Sequence, residues 1–436
     1  LTVKDDGNLY ITGGKWRGCM YGVYELLERY IGWRFFYNKQ TDSYLTKDAD
    51  DAYYLYDSDH VDIPAGINDT QVPSFAYRQG RYTWYYNYDE HAKLRESRSL
   101  RNLSKYNGYG SATFSAAVHG FRDAVNAGVI PDYDYGGYDI GSPQPCYNNE
   151  EVIEAAKTYF LGQIEKKIAS GYEIGKDITV VDVAQLDSGS FCKCKTCINA
   201  IAKERSGVAS VLYFTNEMAD VIGEAYPGLW VSMFAYYGTS TPPAKTMPRD
   251  NVNVSYCFYN DIDKLTCGNH TLDGKNCTEH PDDSYGTSNY NYAAEFDRWC
   301  QIAKRITVWY YPGNWALNSI TNSTIKTMLK DMRYFSDNGV YGIYPCCSNP
   351  KKETDWESID ALMLHLYNRL LWNAEMTEEE FQAEIDDYLY VLYGEGGKFV
   401  GDYYKWLETT DRIGCWPFMI AFGNPCDRTD FAKVRD

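Results

Sequence analysis

The chain has few basic residues, few histidines and no long apolar run. Its 436 residues hold 42 Lys and Arg against 60 Asp and Glu, with only 6 His, giving a formal charge of -18. Basic clusters are sparse, and phosphate backbones need a basic face, so nucleic acid is excluded as the expected partner. No segment approaches the roughly 20 consecutive apolar residues of a membrane span. There is no G-x-S-x-G, no Walker loop, and no G-x-G-x-x-G followed by the acid a dinucleotide site needs. The common serine-hydrolase, nucleotide and dinucleotide chemistries are thereby set aside, and no cofactor is expected. There is also no initiator Met and no signal-like run at Leu1. The first residues already read as a strand, so the numbering is expected to start inside a larger precursor, and the missing signal says nothing about secretion.

What is abundant is aromatic surface and sulfur. There are 42 Tyr, 11 Trp and 13 Cys. A Tyr ring offers an apolar face and a hydroxyl, which suits the C–H faces and hydroxyls of sugars, although core packing uses the same residues. The cysteines point to an oxidising compartment or to a metal site. An extracellular or secreted location is the expectation, periplasmic or cell-surface for a bacterial protein. Asn-x-Ser/Thr sequons stand at Asn68, Asn102, Asn253, Asn269, Asn276 and Asn322; they matter only in a host that glycosylates.

Along the chain, 8–13 alternates like a strand, and 18–32 places Met20, Val23, Tyr24, Leu27, Tyr30 and Ile31 at helical spacing. Gly32 suits the C-cap and 33–37 reads as a further strand. Residues 1–60 are thus expected to be the C-terminal part of a small α/β domain plus linker. From 75 onward strand-like runs alternate with helical ones: strands at 75–84, 112–120, 177–187, 229–238, 252–260, 306–313 and 339–347, with a strong helix over 148–171 that Asn148 or Asn149 can cap. About eight strands in parallel βα units is the number a (β/α)8 barrel needs, so 70–350 is expected to form an α/β TIM barrel. After 350 only amphipathic helices follow, giving an α-helical domain over 351–436.

In such a barrel the chemistry lies at the C-terminal strand ends. Alternation along 177–187 puts Val181, Val183, Gln185 and Asp187 on one face, with Asp182 facing the helices in a structural role. Asp187 and Gln185 are therefore the catalytic candidates: a carboxyl group that donates a proton to a leaving oxygen, and an amide that orients a neighbouring group. Arg78, His119, Tyr236, Tyr237, Tyr259, Trp309, Tyr311 and Trp315 are the candidate substrate-binding residues. Directly after Asp187 come Cys192, Cys194 and Cys197. Zinc could take three thiolates plus a fourth ligand, but no second C-x-x-C is visible. A structural role that pins the loop, by disulfides in a secreted chain, is the reading preferred over a hydrolytic zinc centre, for which there is no His pair at ligand spacing.

Two segments carry a family resemblance. GCMYGVYELLERYIGWRFFY resembles the end of the small α/β domain preceding the barrel in β-hexosaminidases and α-glucuronidases. VVDVAQLDSGSFCKCKTC, the helix with Asn216, and FAYYGTSTPPAKTMPRDNVNV are similar to glycoside hydrolase family 163. The resemblance implies an endo-β-N-acetylglucosaminidase acting on a glycan or glycoprotein, with retention through attack by the substrate's own 2-acetamido group. Asp187 would be the acid and Gln185 the group holding the acetamide, while Glu353, Asp355 or Glu357 could also supply a carboxylate. Two other readings stand beside it: a glycan-binding or scaffold protein that has lost catalysis, and an α-glucuronidase-like exo-hydrolase with Arg78, Arg81 or Arg101 facing the uronate. The oligomeric state is left open.

Overall fold

The computed structural model describes residues 1–14, 18–34, 53–54, 61–78, 119–128, 144–175, 178–189, 191–258, 272, 284–310, 325–345 and 357–409. Among them, short antiparallel pairs join β1 (Thr2–Val3) to β2 (Leu9–Tyr10) and β3 (Trp33–Arg34) to β4 (Tyr53–Tyr54). Helix α1 (Gly18–Leu26) runs on through a π turn that ends at Gly32, whose φ of 88° suits a residue without a side chain.

The main body is one sheet of six parallel strands. They are β5 (Tyr77–Arg78), β6 (Val180–Asp182), β7 (Trp230–Ala235), β8 (Val252–Cys257), β9 (Arg305–Tyr310) and β10 (Gly342–Pro345), in the spatial order β5-β10-β9-β8-β7-β6. The expected closed (β/α)8 barrel is overturned. The described sheet is open and curled: β5 pairs only with β10 and β6 only with β7. The alternation of strand and helix reports successive βα units, but it carries no information on whether the first and last strands meet. The expected strand over 112–120 lies mostly outside the described residues.

Period-two side chains divide the sheet faces. Val231, Met233, Val252, Val254, Tyr256, Ile306, Val308 and Ile343 pack outward into the main core under the helices. Val180, Ala184, Phe234, Cys257, Trp309, Tyr344 and Tyr77 form a second cluster on the inner face. On that inner face Asn253, fully buried, donates to Ser232 Oγ and Thr307 Oγ1, both at 3.0 Å. The sequon at Asn253 therefore sits inside the folded sheet, whereas the Asn68 sequon is exposed. At the N-terminal end of the same face the Arg305 guanidinium is sandwiched over Trp230 at 3.5 Å and Tyr341 at 4.0 Å. That end of the inner face is thus occupied by a cation between two rings.

The helices that flank β6 set the site. Helix α2 (Phe121–Asn126) and α3 (Glu150–Ala169) precede it, and α4 (Lys195–Glu204) and α5 (Ala209–Ala225) follow it. Asn149 caps α3, accepting from the Glu151 and Val152 amides, with acids in the first turn and Lys166 and Lys167 in the last. Val152, Ile153, Ala156, Phe160 and Ile164 recur on its buried face; burying each large one contributes about 2 kcal/mol. No helix lies between β7 and β8. A 3₁₀ turn over Tyr237–Thr239 and an irregular stretch make that crossover, tied down where Asn216 of α5 donates to Met247 O and accepts from Arg249 N. Later come α6 (Ser284–Ile302), α7 (Ile325–Asp337), α8 (Glu357–Trp372), α9 (Glu378–Tyr393) and α10 (Gly397–Thr409), in keeping with the helical pattern after 350. Among the described residues no helix is long and apolar enough to cross a membrane.

Candidate active site at the Asp187 loop

Regular strand structure in β6 stops at Asp182. Val181 and Val183 face the helical core, and Val180 and Ala184 face the inner cluster. This reverses the faces read from strict alternation. It also ends the alternation before Gln185, since Leu186 again packs in the main core. The chain here forms a loop that needs outside partners for its backbone groups. Gln144 supplies them: its Nε2 donates to Leu186 O (2.5 Å) and Ser188 O (2.7 Å), and its Oε1 accepts from Leu186 N (3.0 Å). Tyr147 OH donates to the same Oε1 at 2.8 Å. One buried amide thus holds the backbone on both sides of Asp187.

Asp187 projects from this loop with its side chain 54% exposed. Tyr236, just past the end of β7, donates its hydroxyl to Asp187 Oδ1 at 2.5 Å. His119 Nε2 lies 3.9 Å from the same oxygen. The His119 Nδ1 is 2.6 Å from the Gln185 carbonyl, a partner that accepts only, so Nδ1 carries the proton and Nε2 turns a lone pair towards Asp187. Burial pushes the His119 imidazole below the usual histidine range, against the opposite pull of the Gln185 carbonyl and Asp187. Oδ2 of Asp187 has no protein partner among the described residues, so one carboxylate oxygen is anchored and the other presented.

The backbone around Asp187 is strained. Three described non-glycine residues have left-handed φ, and two of them flank this site: His119 at 57° and Tyr237 at 55°. Such conformations persist only where surrounding structure over-determines them. Asp182 does so for His119, accepting from Gly120 N at 3.1 Å and Ala184 N at 2.9 Å. A Cβ on Gly120 would lie 2.0 Å from the Asp182 carbonyl oxygen, so only glycine permits this approach. Tyr237 is packed against Gly189, where a Cβ would come within 2.5 Å of its ring.

An aromatic row runs from the loop across the inner face. His119 and Tyr236 adjoin Phe234, with centroids at 4.9 and 5.8 Å. Phe234 meets Trp309 edge-on at 5.3 Å, and Trp309 stacks on Tyr344 at 4.3 Å. Tyr236 and Tyr237 are half-buried, while Phe234, Trp309 and Tyr344 are buried.

The structure thus brings Asp187, His119, Tyr236 and Tyr237 together, with Trp309 farther along the same row. Gln185 is adjacent but turned inward: Nε2 donates to Thr239 Oγ1 (2.9 Å) and Phe234 O (3.2 Å), and Oε1 accepts from Phe234 N (3.3 Å). Arg78 lies on β5, at the other edge of the sheet. It is buried, donates to Phe75 O and Ala76 O, and sits over the Tyr21 and Trp372 rings. Tyr259, Tyr311, Trp315, Arg81, Arg101, Glu353 and Asp355 lie outside the described residues, as does the side chain of Glu357. Sequence reasoning missed Gln144, whose only signal is a polar residue a few positions before α3.

It also missed Cys146. The Sγ atoms of Cys146, Cys192, Cys194 and Cys197 lie within 4.8 Å of one another. Among the described residues the expected disulfides are not found: Cys19, Cys146, Cys192, Cys194, Cys197, Cys257 and Cys300 all carry free thiols. The Cys197 amide, pointing at Cys194 Sγ as the N-cap of α4, lowers that thiol to about 7, while burial raises Cys146 and Cys192.

An open parallel sheet with a strained polar loop at its C-terminal strand ends is the setting in which α/β proteins place ligand sites. The chain belongs to the family described as Domain of unknown function (DUF4838), whose model matches residues 49–405. That match does not extend to glycoside hydrolase family 163. No curated protein matches the chain. Among solved structures, a GH138 enzyme targeting pectin rhamnogalacturonan II is similar at 10% identity and a TM-score of 0.41, over 96% of this chain and 49% of that one. The chain spans about half the length of that protein, and a likeness at this level assigns neither fold nor activity.

Proposed function

We propose that the chain is a glycoside hydrolase in which Asp187 is the proton-transferring carboxyl group. The observation that carries this reading is the anchoring of Asp187 Oδ1 by Tyr236, on a half-exposed side chain whose Oδ2 has no partner among the described residues, beside two left-handed residues. Glycosidic cleavage needs a carboxyl group held in one orientation beside the leaving oxygen. Tyr236 and the Gln144 clamp supply that orientation. Protonated Asp187 gives its proton to the leaving oxygen from Oδ2, and the Tyr236 hydroxyl then stabilises the carboxylate that forms. His119 faces the site as a neutral acceptor. The half-buried rings of Tyr236 and Tyr237 offer the apolar faces on which a sugar packs.

The more specific proposal is cleavage of β-linked N-acetylglucosamine with attack by the substrate's own acetamido group. It rests on the residue resemblance in 181–252. In this reading Gln185 acts from behind, holding Phe234 and Thr239 and, through its carbonyl, the His119 ring. Turnover of a panel of aryl glycosides, N-glycans and plant-type polysaccharides tests the proposal. Cleavage of a glycosidic bond that Asp187→Asn abolishes supports it. Binding of saccharide without turnover of any member would replace it with a glycan-binding role.

A further inference from the structure

We propose that Cys146, Cys192, Cys194 and Cys197 form a tetrathiolate zinc centre that pins the Asp187 loop. Cys146 Sγ lies 3.7 Å from Cys197 Sγ and 3.9 Å from Cys194 Sγ. A zinc ion bound at about 2.3 Å to each of four thiolates has sulfur atoms about 3.8 Å apart along its tetrahedral edges. Both separations match such an edge, and neither is a covalent sulfur–sulfur contact. All four sulfurs lie within 4.8 Å of one another, so one ion reaches every ligand.

The surroundings also suit thiolates. Asn148 Nδ2 donates to Cys197 Sγ at 3.2 Å, and the Cys197 amide lies 3.5 Å from Cys194 Sγ. Asn148 is held in turn by Ser210 Oγ at 2.6 Å, so the outer partner is itself oriented. Lys193 and Lys195 flank Cys194 in sequence and offset the negative charge left by four thiolates on one divalent ion. The four thiols lose their protons to solvent as the ion binds. With four protein ligands the coordination sphere is closed and no position remains for water, which makes the centre structural rather than hydrolytic.

The cross-link has a definite purpose in the fold. Cys146 lies two residues after Gln144, which clamps Leu186 and Ser188, and the other three ligands follow Asp187 closely in sequence. Zinc would close this short circuit of chain, joining the clamp to the loop it holds.

The test is elemental analysis and peptide mapping of the natively purified, unreduced chain, followed by mercurial titration. We expect one zinc per chain, these four cysteines unpaired in peptide mapping after alkylation under denaturing conditions, and release of that zinc as the mercurial blocks them. Replacement by Co2+ should give the intense charge-transfer bands of tetrathiolate coordination. Cys194→Ser combined with Cys197→Ser should lose the ion, while Cys300→Ser, outside the cluster, should keep it. Metal-free protein that binds neither Zn2+ nor Co2+ when reduced, or peptide mapping that finds Cys146, Cys192, Cys194 and Cys197 paired in disulfides, would overturn the proposal. Both readouts use the unmutated chain, so they decide the matter even where the double variant does not fold.

Discussion

The Tyr236 hydroxyl donates a 2.5 Å hydrogen bond to Oδ1 of Asp187, across 49 residues of sequence. It joins the loop after β6 to the crossover after β7 and fixes one of the two carboxylate oxygens. Tyr236→Phe removes that bond and keeps the ring. A hydrogen bond to a charged group is worth about 1.5–3 kcal/mol. On the proposed substrates kcat should fall at least about tenfold, with KM changed far less. Steady-state kinetics beside a thermal melt measure this; an unchanged kcat in a folded variant removes Tyr236 from the site.

His119 lies below the usual histidine range because it is buried. The unfolded chain therefore takes up a proton at this position that the folded chain refuses. The stability this gives is present above the ordinary histidine value of about 6.5 and is lost as pH falls from there through the lower folded value. His119→Gln should flatten that part of the stability–pH curve. Urea titrations at a series of pH values follow it, and a curve of the same slope in the variant would show that the decline has another origin.

Gly189 leaves no room for a side chain beneath the Tyr237 ring. Gly189→Ala must move that ring, since its Cβ would otherwise stand 2.5 Å from it. We expect KM to rise several-fold, with a loss of about 1 kcal/mol of stability from overpacking. Kinetics and chemical denaturation on the same preparation separate the two effects. A variant with wild-type KM would mean that Tyr237 does not contact substrate.

The N-terminal segment and the C-terminal helices meet at a charged cluster away from the site. Arg369 bridges Glu28 at 2.9 Å and Glu384 at 2.7 Å, and His365 faces Glu384 at 3.2 Å. Burial alone would raise Glu384, but the Arg369 guanidinium and His365 outweigh it and hold the carboxyl well below the usual range. The folded state thus keeps this proton off where the unfolded chain takes it up, and the stability contributed is lost as pH drops below about 4.3. Removing one member strands the others, so Arg369→Met should cost about 3 kcal/mol near neutral pH. Calorimetry at pH 7 and pH 4 checks it, with a smaller difference between wild type and variant expected at the lower pH.

Much of this architecture is legible in the residues. The Asn149 cap, the acids and lysines at opposite ends of α3, and the helices after 350 follow from local chemistry that the sequence states directly. The closed barrel does not follow, because ring closure depends on pairing between edges that hydropathy periods do not encode. Asp187 is legible as a carboxyl group following a strand, although the strand itself ends at Asp182 and a loop carries the carboxylate. Its partners are not, because His119 and Tyr236 reach it only through a left-handed turn and a crossover without a helix. The cysteine spacing was equally two-sided: C-x-C-x-x-C suits disulfides or a metal, and the fourth sulfur, Cys146, lies far upstream where no short motif includes it. Asn253 reads as a glycosylation site by its neighbours and is buried by the strand it belongs to.

The most direct test compares wild type with Asp187→Asn on a panel of N-glycans, aryl β-N-acetylglucosaminides and pectic oligosaccharides, with products read by mass spectrometry. The variant keeps the size of the side chain and its place on the loop. The account predicts cleavage of at least one glycosidic linkage by the wild type, and loss of at least about 100-fold in kcat with saccharide binding retained in the variant. Cleavage undiminished in a folded Asp187→Asn would contradict the role given to Asp187, and a wild type that cleaves nothing would contradict the enzyme.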